Sequence, residues 1–310
     1  IDKIAVSDVR GGSVSRGGAP TEHAIAAQPR STINGRLRTT EQGEVVSSKF
    51  ANRGTALHNL ELLASSVLTQ SLDTRPELTR PEFNDALEAL SGMSQTAYCT
   101  LLRQPGFIDY FQQASPVEEL AMLKMGSRPA RRSGAQTLDD LRAIPWVFAW
   151  SQNRHLITGW YGFGTALASF RRVRGPEGDR LLSEMLRHSP LFQLIVDEVE
   201  KSLFHADMDI AARYASLVPD ATVRHAIFES VRREYDQSCI ELRSLTGTPE
   251  IGARFPNMCT RFGRVRGELG RIHELQVSLL SRTRQSPQDM DSTPLLQSMN
   301  CIATGLGWTG

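Results

Sequence analysis

The sequence has 310 residues, 40% of them hydrophobic and 22% charged, with 35 basic and 34 acidic side chains and a formal net charge of +1. That composition is globular, and the near-neutral balance excludes a bulk field that would draw the chain onto nucleic acid or a membrane. No apolar run approaches the roughly 18 residues of a membrane-spanning helix. The cysteines at 99, 239, 259 and 301 show no CxxC or Cys/His spacing, which suits reduced cytoplasmic thiols rather than a disulfide framework or a zinc site.

The first chemical signal comes early, at Arg10-Gly11-Gly12-Ser13-Val14-Ser15-Arg16-Gly17-Gly18-Ala19-Pro20. Glycines let the main chain turn sharply and approach a ligand closely, and guanidinium forks grip phosphate and carboxylate in bidentate fashion. A loop with two arginines among Gly11, Gly12, Gly17 and Gly18, and no aromatics, reads as a site for a small multiply charged anion. The alternative is a flexible arginine-glycine tail that binds RNA, but interleaved aromatics and net positive charge are missing.

Residues 1–50 are rich in glycine, with a strand expected at Arg36–Thr39. From about His58 the pattern turns helical: Leu60, Leu63, Val67 and Leu68 mark one apolar face, and Phe83, Leu87 and Leu90 another. Asn84-Asp85 and Ser91-Gly92 give no strong stop. Glu118 to Met125 reads as a short helix closed by Gly126. A basic loop follows over residues 126–137, and then the apolar run Ala143–Trp150, whose length and aromatic content predict a buried strand. Beyond it the chain reads as helix. Leu191, Ile195, Val199 and Leu203 recur every four residues, as do Val223, Ile227 and Val231, and both stripes are expected to be core in helices of about 25 residues. The fold class predicted is mainly α, with strands and charged loops that fit the C-terminal portion of a (β/α)8-type barrel embedded in many extra helices. The domain reading is a barrel-derived segment over 1–160 and a helical bundle over 161–310, both part of one larger domain.

Several segments resemble phosphoenolpyruvate carboxylase, in the right order along the chain. They are the arginine-glycine loop, Gly35-Arg36-Leu37-Arg38 with Glu41-Gln42-Gly43-Glu44, Gly126-Ser127-Arg128-Pro129-Ala130-Arg131-Arg132, Leu141-Arg142-Ala143-Ile144-Pro145-Trp146 through Asn153-Arg154, and the terminal Thr309-Gly310. The resemblance runs from Arg10 onward and matches about the last third of that enzyme. Together with a start at Ile1 rather than Met, it leads to the expectation of a C-terminal fragment.

The resemblance implies carboxylation of phosphoenolpyruvate by bicarbonate to oxaloacetate and phosphate, through carboxyphosphate and the enolate of pyruvate, with Mg2+ or Mn2+. Such a reaction needs cations to hold a phosphoryl group in transit and a closed site that excludes water. By the resemblance Arg10 and Arg128 bind substrate, Arg142 lines the same pocket as a catalytic residue, and Arg16 rides on the mobile glycine loop that covers the intermediates. Residues 131–137, with Arg131 and Arg132, match a second mobile loop. The bland alternatives are a structural ion pair for Arg142 and a solvated surface for Arg131 and Arg132. The resemblance also implies that the family's general-base histidine and metal ligands lie upstream of this match, and no His or carboxylate cluster here has the metal-ligand spacing to replace them. The isolated chain is then expected to be inactive. A cytoplasmic homo-oligomer, a tetramer when full length, is also implied, with no nucleic-acid or membrane partner. The competing reading is a catalytically inactive remnant that binds anions or other subunits.

The sequence also departs from the family. Ser7-Asp8-Val9-Arg10 stands where Phe-His-Gly-Arg is usual, and the charge of Asp8 opposes phosphate binding. Ser15 replaces a glycine beside Arg16. Many relatives are inhibited by aspartate or malate held by the loop arginine, a lysine, a second arginine and a terminal asparagine. Here those positions fall on Arg16, His205, a place near Val265 flanked by Arg264 and Arg266, and Trp308.

Overall fold

A computed structural model describes residues 21–29, 32–33, 35–37, 46, 49–73, 80–122, 143–286 and 291–307. Among these the regular structure is helical: α1 (Thr21–Ala26), α2 (Arg53–Leu72), α3 (Pro81–Leu102), α4 (Phe107–Gln113), a 3-10 turn (Glu119–Met122), α5 (Ala143–Gln152), α6 (Ile157–Trp160), α7 (Phe163–His188), α8 (Pro190–His205), α9 (Met208–Ala215), α10 (Ala221–Thr246), α11 (Pro256–Gln285) and α12 (Thr293–Leu306). The mainly α expectation holds, and no described residue lies in a strand. The chain divides into two compact units, Ile1–Glu88 with Gly175–Glu198, and Ala89–Arg174 with Val199–Gly310.

In the first unit α1 packs on α2. The chain after α1 is tied to the end of α2 where the Gly35 amide donates to Ser71 Oγ at 2.8 Å. Gly35 sits at φ +67, a left-handed conformation that favours glycine. Asn52 starts α2 by accepting the Thr55 amide, a side-chain cap that satisfies one of the helix's orphan donors. Phe83, Ala86, Leu182, Met185, Phe192 and Val196 are buried. Beside them Arg80 pairs with Glu184 at 2.6 Å and lays its guanidinium 5.1 Å from the centre of the Phe83 ring.

The second unit holds the largest correction. Ala143–Trp150, predicted as a buried strand, is the body of helix α5. Consecutive burial of Phe148, Ala149 and Trp150 fits a helix enclosed on several sides as well as it fits a central strand. The decisive spacing is Trp146 and Trp150, one helical turn apart. They close on Phe107 and Phe111 of α4, also one turn apart, with Phe111 centred 4.6 Å from Trp146 and 4.9 Å from Trp150. Pro145 is compatible because it stands in the first turn, where amides have no intrahelical partner.

Other boundaries moved less. Helix α3 runs unbroken through Asn84-Asp85 and Ser91-Gly92. Of the Glu118–Met125 helix, only the tighter 3-10 turn Glu119–Met122 is described, and the rest lies outside the described residues. Arg36 and Leu37 have no regular structure, while Arg38 and Thr39 lie outside the described residues. The stripe on α8 is core at Val199 and Leu203 but exposed at Leu191 and Ile195, and α8 has 16 residues rather than about 25. By contrast α10, with 26 residues, buries Ile227 and Val231 as expected.

Candidate functional site

Of the sequence-predicted site residues, His205 is the one placed. Arg10, Gly11, Gly12, Arg16, Gly17, Gly18, Arg128, Arg131, Arg132, Arg142 and Trp308 lie outside the described residues. The surroundings of His205 are built from the turn after α5. Asn153, Arg154 and His155 are all buried there, and Arg154 and Leu156 hold positive φ angles of 62 and 45. A left-handed backbone at two bulky residues is strained, and it persists only where the surroundings over-determine it.

Those surroundings are hydrogen bonds. Asn153 Nδ2 donates to the Ala114 carbonyl at 2.9 Å. His155 Nε2 lies 2.8 Å from Tyr110 Oη, and the His155 carbonyl accepts Trp160 Nε1 at 2.9 Å. The Arg154 carbonyl accepts the Asp207 amide at 3.0 Å, and Arg154 Nε donates to the His205 carbonyl at 2.6 Å. The Arg154 guanidinium lies 5.3 Å from the centre of the Phe262 ring. Burial pulls its pKa down to about 10, with Asp207 working against that shift and Arg266 with it, so it stays charged at neutral pH.

His205, at the end of α8, is 4% exposed. Its ring is edge-on to Phe204 and Phe262, with centroids 5.3 and 5.1 Å away. Nδ1 lies 2.8 Å from the Lys201 carbonyl, an acceptor, so Nδ1 carries the proton of the neutral ring. Burial, then the bond to Lys201 in the opposite sense, then the charges of Arg154 and Arg261 set its pKa at about 4. His205 is therefore uncharged at pH 7.

Two further positions converge on this place. Val265, on α11, packs against the buried cluster of Phe262, Leu269, Ile302 and Leu306, and the same cluster takes Phe204. Gly307, the residue before Trp308, ends α12 in a left-handed conformation with its amide bonded to the Ala303 carbonyl at 3.0 Å. A Cβ on Gly307 would stand 3.0 Å from Arg261 Nη2. Arg261 thus brings a cation to both His205 and Gly307. It is one helical turn before Val265 and, like Arg264 and Arg266, the neighbours singled out from sequence, it is exposed; Arg266 acts on Arg154.

Sequence reasoning missed Arg154 and Arg261 as members of this cluster. The signal for Arg154 was a polar run, Ser151 to His155, directly after an apolar one. The signal for Arg261 was its spacing of four from Val265. Behind Arg154 lies a buried polar chain. Tyr214 Oη donates to Gln276 Oε1 at 2.7 Å, and Gln276 Nε2 donates to Gln152 Oε1 at 3.2 Å and Ser298 Oγ at 3.0 Å. No group of three His, Cys, Asp or Glu side chains among the described residues can hold a metal ion. The described side chains therefore offer no donor set for Mg2+ or Mn2+. No described helix is long and apolar enough to cross a membrane.

A family model described as phosphoenolpyruvate carboxylase matches residues 7–310. A phosphoenolpyruvate carboxylase of Methylorubrum extorquens is 51% identical over 316 residues, covering 99% of this chain and 34% of that protein. Those of Bradyrhizobium diazoefficiens and Azorhizobium caulinodans are 39% and 38% identical, covering 97% and 98% of this chain and 33% and 32% of their own lengths. The chain spans about a third of the length of the curated relatives it matches, and corresponds to their C-terminal part.

Proposed function

The chain belongs to the phosphoenolpyruvate carboxylase family, and from that premise we propose that it contributes the anion-holding part of an enzyme that carboxylates phosphoenolpyruvate with bicarbonate to oxaloacetate and phosphate. The observation that carries this reading is the family match over residues 7–310, which includes both arginine-bearing loops. Arg10 and Arg128 bind the substrate phosphate and Arg142 lines the same pocket. Arg16 neutralises charge on the intermediates from the loop spanning Gly11, Gly12, Gly17 and Gly18, and the loop with Arg131 and Arg132 closes over the site. Fixed cations in a water-poor site act where charge moves during phosphoryl transfer. Mg2+ or Mn2+ belongs to the family's chemistry, and its ligands and the general base are assigned to the part of the relatives that this chain does not span. The helices described here surround a (β/α)8-type barrel that is complete only in the longer protein. That protein works in the cytoplasm as a homo-oligomer, a tetramer by likeness to the family.

The test is oxaloacetate formation with Mg2+ and bicarbonate present. The 310-residue chain alone is expected to show none. The same chain fused in frame to the upstream two thirds of the Methylorubrum relative is expected to turn over. In that fusion Arg10→Ala removes a charge-assisted bond of about 1.5–3 kcal/mol and lowers kcat/KM by roughly ten- to a hundred-fold. A soluble, folded fusion without activity, or an Arg10→Ala variant with unchanged kinetics, overturns the reading.

Regulation in the fused enzyme gives a second expectation. Of the family's four effector contacts, Arg16 is retained, His205 is neutral and buried, Val265 is apolar and Trp308 has no amide. A dicarboxylate needs a cation at each end, and enclosing it without them is costly. Aspartate and malate are therefore expected to inhibit weakly or not at all. Sub-millimolar inhibition by aspartate refutes this, and Arg261→Ala then shows whether Arg261 supplies the missing charge.

A further inference from the structure

Helix α2 is out of keeping with a solvent-facing surface. Over its 20 residues none is buried, although it carries Leu57, Leu60, Leu62, Leu63, Val67, Leu68 and Leu72. One face is accounted for: Ala56, Leu63, Val67 and Ser71 are half-covered on the side where α1 packs. Beside it runs a stripe at spacings of three and four, Leu57, Leu60, Ala64, Leu68 and Leu72, in which the leucines are 56%, 51%, 59% and 68% exposed. Val46 and Phe50, just before the helix, are exposed as well.

A surface helix turns its apolar stripe to the core and its polar residues to water, so an apolar stripe left bare calls for a cover. Along α2 the charged residues are Arg53 and Glu61 alone, with His58 between them. Nor is the exposure spread evenly over the molecule. Among the described residues six of the thirteen exposed large hydrophobics, Val46, Phe50, Leu57, Leu60, Leu68 and Leu72, fall within residues 46–72. A continuous exposed apolar patch marks an interaction surface.

We propose that the Leu57–Leu60–Leu68–Leu72 face of α2 is the docking surface for the polypeptide that makes up the other two thirds of the relatives' length, covered by an apolar surface of that upstream part. The proposal rests on the family reading above, because the relatives' extra length supplies the occupant: the chain spans only 34% of its Methylorubrum counterpart. A helix whose broad apolar face is only partly covered lies where the matched third meets the rest.

The experiment measures thiol labelling at Leu68→Cys, read by peptide mass so that native Cys99, Cys239, Cys259 and Cys301 are separated from it. Two proteins are compared: the 310-residue chain, and the intact Methylorubrum relative in which residues 46–72 of this chain replace its own aligned segment. The second host is a full-length family member and does not depend on the fusion folding. At least ten-fold slower labelling in the intact host than in the 310-residue chain is expected, with the same slowing at Leu57→Cys. Equal rates in a folded host overturn the proposal. Slow labelling already present in the 310-residue chain, rising with its concentration and abolished by Leu57→Glu, assigns the face to a second copy and overturns it too. Because labelling is independent of turnover, an active fusion with a freely labelled Leu68→Cys sinks this surface alone, and an inactive fusion with a protected one sinks the carboxylase reading alone.

Discussion

The second unit is expected to lose stability steeply as the pH falls below about 6.5, by up to about 4 kcal/mol per pH unit. His155, His205 and His273 are all buried there, and burial is the leading cause that lowers their pKa values to about 3, 4 and 3. Each is held as the neutral ring. His155 is bonded between Tyr110 Oη and the Asn153 carbonyl, and His205 to the Lys201 carbonyl. His273 Nδ1 lies 2.9 Å from Tyr214 Oη, whose own proton goes to Gln276. Arg154 adds repulsion against a proton on His205 and His273, Arg261 adds it at His205 and Arg213 at His273. An unfolded histidine titrates near 6.5, so above that pH neither state binds the proton and the preference for the neutral ring is fully present. Between about 6.5 and about 4 the unfolded chain takes up protons that the folded unit refuses, and each such proton costs the fold about 1.4 kcal/mol per pH unit. Two pH units of this approach the whole stability of an ordinary domain, about 5–15 kcal/mol. Calorimetric unfolding at pH 5 in buffers of different ionisation enthalpy should count close to three protons taken up. His273→Gln should reduce that count by about one. A count near zero, or a melting temperature unchanged between pH 7 and 5, refutes the assignment.

The legibility of this molecule in its sequence depended on the kind of signal. Stripes such as Ile227 and Val231 were legible because burial on one helix face writes a period of about 3.6 into the chain. Ala143–Trp150 was misread because an apolar run of eight residues is buried whether it is strand or helix. What decides is the long-range clasp of Trp146 and Trp150 on Phe107 and Phe111, which local pattern does not contain. Leu191, Ile195 and the α2 stripe share the period of core residues, yet they are exposed here; periodicity reports that a face is to be covered, not by what. At the candidate site the family resemblance pointed to His205 by position alone. Its neutrality arises from enclosure by Phe204, Phe262 and the Lys201 carbonyl, which are brought together only by folding.

Gly164→Ala is expected to destabilise the second unit by about 3 kcal/mol or more, while Gly263→Ala and Gly267→Ala stabilise it by about 0.5–1 kcal/mol each. All three glycines lie inside helices, so propensity alone favours alanine at every one of them. The difference lies in what a methyl group would meet. At Gly263 and Gly267 there is nothing within 4 Å. At Gly164 an added Cβ would stand 2.5 Å from the Ser238 amide nitrogen and 2.7 Å from Ser238 Cα. Those atoms are backbone of α10 and cannot swing aside as the end of a side chain does, so α7 and α10 must part. Parting them strains two contacts. Gly164 donates its amide to Ser238 Oγ at 3.0 Å, and nearby Glu234 accepts the amides of Gly162 and Thr165 at 3.1 and 3.0 Å as it caps the start of α7. Loosening that junction leaves a carboxylate that is 7% exposed short of its donors, which adds to the packing cost. Thermal melting of the three single variants decides the matter: a Gly164→Ala midpoint at or above that of the parent chain would show that α7 and α10 are not in close backbone contact.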